Sequence, residues 1–448
     1  MKQNKILIIP KAVVTANSTD EILHKTAVEI EDGVIINIAP ANRYDLSRFI
    51  GEIFQCENLT LIPGFIQTHV HLCQTLFRGM ADDLLLLDWL KKRIFPYENA
   101  HDENSLRLSA QLGLYELQNG GTTTILDMGS LRHGGVIFDE LKKSGMRAFA
   151  GKCLIDENDL YSNFSEPTEV GLKSAYDLAR QYHNSNGGRI KYGFAPRFVL
   201  SCSEKLLKES YRMLDDFPGS VFHSHSSENK TEVEAVRMKS GMENLEYFDS
   251  LGLLGTRTYL AHCIHVNEKE IALLKESGTN VLHCPSANLK LGSGVAPIPR
   301  FLNEGISVSL GADGPPCNNN LSIFNEMRLA ALIQKVQHGP TSMDAKTVFK
   351  LSNIKAAQAL HIDDEVGSIE VGKKADLVLL NLEDALQPLL DNYDNIYSKI
   401  VYSSTASVVR DVMIEGEWVV RDSHSLIFDN EKIARKGKEE LIKLLERS

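Results

Sequence analysis

Between about residue 62 and residue 365, short apolar runs of β character alternate with stretches of helical periodicity. That rhythm limits the fold more than any other feature of the chain. Runs of this kind separated by helices form βα units, which build a parallel sheet covered by its helices. The predicted strands are Phe65–Thr68, Thr122–Leu126, Ala148–Cys153, Ile190–Phe194, Val221–His223, Thr258–Leu260, Asn280–Leu282 and Ser307–Leu310. Helical patterns such as Ser105–Gln118, Glu204–Leu214 and Glu268–Lys275 lie between them. Eight such strands fit a closed (β/α)8 barrel, and the Gly-rich dinucleotide fingerprint of an open doubly wound sheet is absent.

Outside this span the pattern changes. Ile6–Ile9, Val13–Val14, Ala27–Ile30 and Val34–Ile38 read as short strands, the last two joined by an Asp32-Gly33 turn. Asp376–Leu380, Val408–Ile414 and Trp418–Val420 read alike, with a Glu415-Gly416 turn. The expected architecture is therefore an α/β chain in three parts. Residues 1–61 and 366–448 build a small β-sandwich from both chain ends, residues 62–365 form the barrel, and Asn430–Ser448 is a terminal helix.

Charge and cysteine content narrow the function. The net charge is −11 and the pI about 5.7, with no dense basic stripe, so nucleic acid is not an expected partner. No apolar run reaches the roughly 18–20 residues of a membrane span, so no membrane is expected either. The seven cysteines stand at 56, 73, 153, 202, 263, 284 and 317 without a C-x-x-C pair, which points to a reducing, cytoplasmic setting. A cytoplasmic enzyme is the class that remains.

Barrel enzymes place their chemistry at the C-terminal ends of the strands. Here those ends read Thr68-His69-Val70-His71, His223-Ser224-His225-Ser226-Ser227-Glu228, Ala261-His262-Cys263, His283-Cys284-Pro285 and Gly311-Ala312-Asp313-Gly314. Alternation along a strand lets His69 and His71 both point into the barrel mouth. Two imidazoles from one strand, a third from across the barrel and a carboxylate from the last suit a divalent metal with a position left for water. Fourteen histidines in 448 residues give fewer than one His-x-His pair by chance, and this chain has two. His223 is expected to face away from His225 and to be structural. His101-Asp102-Glu103 matches half of the compact nucleobase-deaminase signature, but the C-x-x-C half is missing.

Pro63-Gly-Phe-Ile-Gln-Thr-His69-Val-His71, His225-Ser-Ser-Glu228, Leu260-Ala-His262-Cys, His283-Cys-Pro-Ser-Ala-Asn288 and Gly311-Ala-Asp313-Gly together resemble the amidohydrolase superfamily. They look most like its aminohydrolase branch, which holds deaminases of 5′-deoxyadenosine, methylthioadenosine and S-adenosylhomocysteine, guanine deaminases and s-triazine hydrolases. The resemblance extends to the closing Val366–Asp376 segment. It implies His69, His71, His225 and Asp313 as metal ligands, Glu228 as general acid/base and His262 as the residue that orients water, with Asp313 also acting as base. Ala195-Pro196-Arg197 has no lysine where the binuclear relatives carry a carbamylated one, so one divalent metal is implied, zinc with iron as the alternative. The implied reaction is hydrolytic deamination, in which Glu228 protonates the ring nitrogen beside the attacked carbon and ammonia leaves.

The substrate contacts implied by the resemblance divide. Trp89 and Glu98 have the nine-residue spacing of the nucleoside deaminases, where the glutamate takes ribose hydroxyls. Arg197 and Gln74 instead match purine-binding positions of guanine deaminases. Lys152 stands where relatives acting on S-adenosylhomocysteine carry an arginine for the substrate's carboxylate, against the plain reading of a surface lysine. The expected substrate is an aminopurine nucleoside with a modified 5′ end. Guanine, a pterin or an s-triazine is the alternative. A metal-free barrel serving as an assembly partner is the competing class, and the retained ligand positions argue against it. Self-association is left open by one sequence.

Overall fold

In the computed structural model, residues 5–383 and 395–448 are described. The first four residues of the N-terminal run, and the stretch between the two described blocks, lie outside. The strands fall into two sheets. Eight of them, β6 (Phe65–Val70), β7 (Thr122–Ser130), β8 (Arg147–Leu154), β9 (Ile190–Pro196), β10 (Val221–Ser226), β11 (Thr258–His262), β12 (Asn280–His283) and β13 (Val308–Leu310), pair in parallel in sequence order. These are the eight runs legible in the sequence. The barrel closes where the Asp313 amide donates to His69 O at 2.9 Å and Thr68 Oγ1 meets Ser309 Oγ at 2.8 Å. Apolar side chains from alternating positions, Ile66, Leu126, Phe149, Val221, Tyr259 and Leu282, fill the interior beneath this mouth. Packed rather than hollow at its lower end, the barrel gathers its histidines and Asp313 at and just beneath its upper rim.

The second sheet takes strands from both chain ends. The N-terminal part is β1 (Lys5–Val14), β2 (Ile22–His24), β3 (Thr26–Glu31), β4 (Val34–Pro40) and β5 (Glu52–Pro63). The C-terminal part is β14 (Leu377–Leu380), β15 (Val409–Ile414), β16 (Glu417–Arg421) and β17 (His424–Ser425). Their order is β17-β16-β15-β14-β5-β1-β3-β4, with β2 on β1. The sheet folds back on itself, because Ile35 N donates to Lys373 O at 2.8 Å and Ala375 N to Gly33 O at 2.9 Å. A core that includes Ile8, Val28, Leu61, Leu377 and Met413 lies within the fold.

The two predicted turns explain part of this closure. Asp32-Gly33 and Glu415-Gly416 both run through left-handed backbone, with φ of 48° and 81° in the first and 50° and 81° in the second. Such two-residue turns match the twist of antiparallel strands. They also abut: a Cβ on Gly416 would lie 2.6 Å from Gly33 Cα, so the glycines serve contact as well as φ. The terminal helix, Asn430–Arg447, packs on the barrel helix Glu103–Asn119.

Candidate active site

The upper rim carries the predicted constellation. One donor atom each from His69, His71, His225 and Asp313 lies within 4.8 Å of the others. Asp313 Oδ1 is 3.3 Å from His69 Nε2 and 3.2 Å from His71 Nε2. Burial would raise the Asp313 carboxyl, but the His69 and His71 imidazoles hold it well below the usual carboxylate range. Burial lowers the His69 imidazole to about 4 and His225 well below its ordinary value, so both rings are neutral, as ligands must be. His69 Nε2 is buried without a hydrogen-bond partner. Four lone-pair donors converging on one point, one of them unpartnered, fit a divalent cation.

Three other ring nitrogens of the site have partners, whereas His71 Nδ1 is buried without one. His225 Nδ1 lies 2.7 Å from Arg197 O, and His262 Nδ1 lies 2.8 Å from Asn288 Oδ1. His69 Nδ1 lies 2.7 Å from His223 Nε2. This corrects the expectation for His223. Residues two apart on a strand share a face, and Val221, His223 and His225 all turn inward, while Phe222 packs outward against Tyr211 and Phe248. His223 is structural, but from one step deeper in the same barrel interior.

His262 lies between two carboxyls, its Nε2 3.5 Å from Glu228 Oε2 and 3.8 Å from Asp313 Oδ2. Strand alternation from Tyr259 and Ala261 would turn it outward. The chain leaves the ladder at His262 with φ 77°, followed by Cys263 at 46°, and the ring is brought over the mouth. Ser227 at 52° and Asp313 at 62° share this left-handed backbone. Non-glycine residues hold such angles only where their surroundings over-determine them. Glu228 contrasts with Asp313: burial, reinforced by the Asp313 charge, drives its carboxyl well above the ordinary value.

Beside these groups is a cavity of about 30 Å³, walled by His71, Gln74, Trp89, Arg197, Phe198 and Leu291 among others. Glu98 does not line it. Both Glu98 oxygens accept from Arg197 Nη1, at 3.1 and 3.0 Å, and Oε1 also accepts from Gln74 Nε2 at 2.7 Å. The two halves of the divided substrate expectation therefore form one buried cluster. Arg197 also stacks over Phe95, 5.2 Å from the ring centre. Gln74 Oε1 and Trp89 Nε1 are left buried without partners. Lys152 is neither a surface lysine nor a free cation: it is 3 % exposed, bonded to Leu131 O and 3.0 Å from Glu166 Oε2.

Sequence reasoning missed Asp127, buried within β7. It accepts from Leu72 N at 2.8 Å and Gly129 N at 3.0 Å, anchoring the turn after His71. A lone acid in the apolar run Ile125-Leu126-Asp127-Met128 was its available signal.

A barrel that brings the imidazoles of His69, His71, His225 and His262 together with the Asp313 and Glu228 carboxyls at its rim defines a hydrolase-type site. The chain belongs to the amidohydrolase family, whose model matches residues 60–419. It is 37 % identical over 412 residues, 92 % of this chain and 94 % of the relative, to a 5′-deoxyadenosine deaminase of Methanocaldococcus jannaschii. A 5-methylthioadenosine/S-adenosylhomocysteine deaminase of Syntrophomonas wolfei is 31 % identical, over 98 % of this chain and 99 % of the relative. Among solved structures, an adenosine deaminase from Xanthomonas campestris with bound zinc superposes with a TM-score of 0.90 at 28 % identity, covering 99 % of each chain.

Proposed function

We propose that this protein is a zinc-dependent hydrolytic deaminase of adenosine-type nucleosides with a modified 5′ end, such as 5′-deoxyadenosine. The observation that carries the reading is the geometry around His262, whose Nε2 lies 3.5 Å from Glu228 Oε2 and 3.8 Å from Asp313 Oδ2, beside the converging donors of His69, His71, His225 and Asp313. The relatives described above support it. His69, His71, His225 and Asp313 would hold one divalent ion, which when bound would bring the pKa of a water towards 7. His262 orients that water, with its own Nδ1–H committed to Asn288. Asp313 takes up a proton, and Glu228 delivers one to the ring nitrogen next to the amino-bearing carbon, so that charge does not accumulate there. The proton held by Asp313 is then delivered to the departing amine while Glu228 recovers one from the added hydroxyl, and ammonia leaves an oxo-purine nucleoside.

In this reading Trp89, Gln74 and Arg197 form the base-facing wall, and Glu98 meets the sugar only through an oxygen it shares with Arg197. The division of the chain near residues 61 and 365 separates sheet from catalytic barrel. Seven buried, unpaired cysteines favour a reducing compartment. A second reading, a free amino-heterocycle such as guanine, draws on Arg197 and Gln74 lining the cavity while Glu98 does not. Ammonia release by the zinc-loaded protein decides between them, with 5′-deoxyadenosine, S-adenosylhomocysteine, adenine and guanine compared alongside Glu98→Ala. Turnover of nucleosides but not adenine, lost in Glu98→Ala, supports the first reading; turnover of guanine indifferent to Glu98 overturns it.

A further inference from the structure

We propose that Glu326, which touches neither the ligand set nor the cavity, is a positioning residue that holds the two loops bearing Asp313 and the support of His262. It sits on the helix Ile323–His338 and is fully buried. Oε1 accepts from Ser286 Oγ at 2.6 Å and from Asn318 Nδ2 at 2.8 Å, and Oε2 accepts from Ser286 N at 3.1 Å. One carboxylate thus ties the loop after β12 to the loop after β13.

Each arm ends at a reacting group. Ser286 opens the short helix Pro285–Lys290, which contains Asn288, and Asn288 Oδ1 accepts from His262 Nδ1. Asn318 also donates to Ala312 O at 2.7 Å, directly before Asp313. The left-handed Asp313 backbone is then pinned on one side by Asn318 and on the other by its own amide on His69 O. Placing a carboxylate where burial raises it to about 7 is costly, and apolar packing of the same volume is often at least as stable. Fixing two separate loops from one point is a geometric task that an apolar side chain cannot perform.

The inference rests on the proposed roles of Asp313 and His262. Its test uses the full-length protein and the variants Glu326→Gln, Ser286→Ala and Asn318→Ala. Zinc affinity is read by chelator competition, kcat and KM on 5′-deoxyadenosine, and Tm independently. Ser286→Ala is expected to lower kcat about 10-fold or more per bound zinc, with zinc affinity retained. Asn318→Ala is expected to weaken zinc binding by about 10–100-fold, the usual range for groups that orient ligands, with kcat recovered at saturating zinc. Glu326→Gln, which keeps one acceptor of two, combines both effects with KM within about threefold. If the variants lower Tm while zinc affinity and kcat per zinc stay within twofold, Glu326 is only a structural brace and the inference fails. Should Glu326→Gln not fold, the two single-arm variants carry the same decision. His262→Ala and Asp313→Ala separate the cases: full turnover in both overturns the mechanism itself, whatever Glu326 does.

Discussion

Glu228 and Glu232 show how the same burial serves chemistry and taxes stability. Glu228→Gln keeps the shape and removes the mobile proton. It should reduce kcat by about 10²–10⁴-fold, the usual contribution of a positioned acid/base, with metal content unchanged by elemental analysis. Glu232 lies one helical turn on, accepting from Glu228 N at 3.1 Å and from Asn244 Nδ2. Burial raises its carboxyl to about 7 from the ordinary 4.5. A raised folded-state pKa contributes stability fully present below about 4.5 and lost as pH climbs through 7, on the order of 3 kcal/mol for a shift of this size. Glu232→Gln should therefore gain on the unmodified protein as pH rises from 5 to 8. A Tm difference that stays flat over that range would contradict the assignment.

At the scale of elements, the seam between β6 and β13 sets where His69 and Asp313 stand. A Cβ on Gly311 would lie 2.6 Å from His69 O and 2.7 Å from His69 N. Gly311→Ala must push the two strands apart and drag His69 with them, so zinc affinity should fall at least about 10-fold in a chelator competition, even where the fold survives. The strap over the cavity is the other element at issue. Leu86, Trp89 and Leu90 line the cavity from a short helix whose next turn, Leu90–Ile94, is a widened i→i+5 turn of the kind common at functional sites. Because this strap walls the cavity, hydrogen exchange over residues 86–94 should slow when an oxo-purine nucleoside product is added.

The strand readings show what the sequence makes legible. All eight barrel strands stand out as apolar runs, yet most were read short at their C-terminal ends. β7 runs on from Leu126 to Ser130 and β10 from His223 to Ser226. The ladder continues there while the apolar pattern stops, because those ends carry the polar functional groups. The convergence of His69, His71, His225 and Asp313 was legible because motifs mark each of them locally. The Glu98–Arg197–Gln74 cluster was not, since only the closed barrel brings residues 98 and 197 together. His262 was found by motif, although strand alternation alone would have turned it outward.

Across the whole molecule, a buried charge network couples barrel to sheet. Arg147, at the start of β8, donates to Asp376 at 3.0 Å and to Glu365 at 3.2 Å, and lies 3.9 Å from Glu415. Asp376 Oδ1 in turn accepts from Glu415 N at 2.8 Å, behind the stacked turns. Arg147→Met leaves Asp376 buried and unpaired, and should cost about 3–5 kcal/mol in denaturant unfolding. The double variant Arg147→Met/Asp376→Leu should recover part of that loss. Among the described residues no helix is long and apolar enough to cross a membrane.

The pairing of β5 with β14 has a consequence in time as well as in space. Pro63 lies opposite Leu377, so more than 300 residues must be made before β5 meets its second neighbour. At roughly 5–20 residues per second, a ribosome keeps that strand edge waiting for about 15–60 s. Throughout that interval the nascent chain presents an open β-edge to every other chain nearby, and a stalled or truncated product presents it permanently.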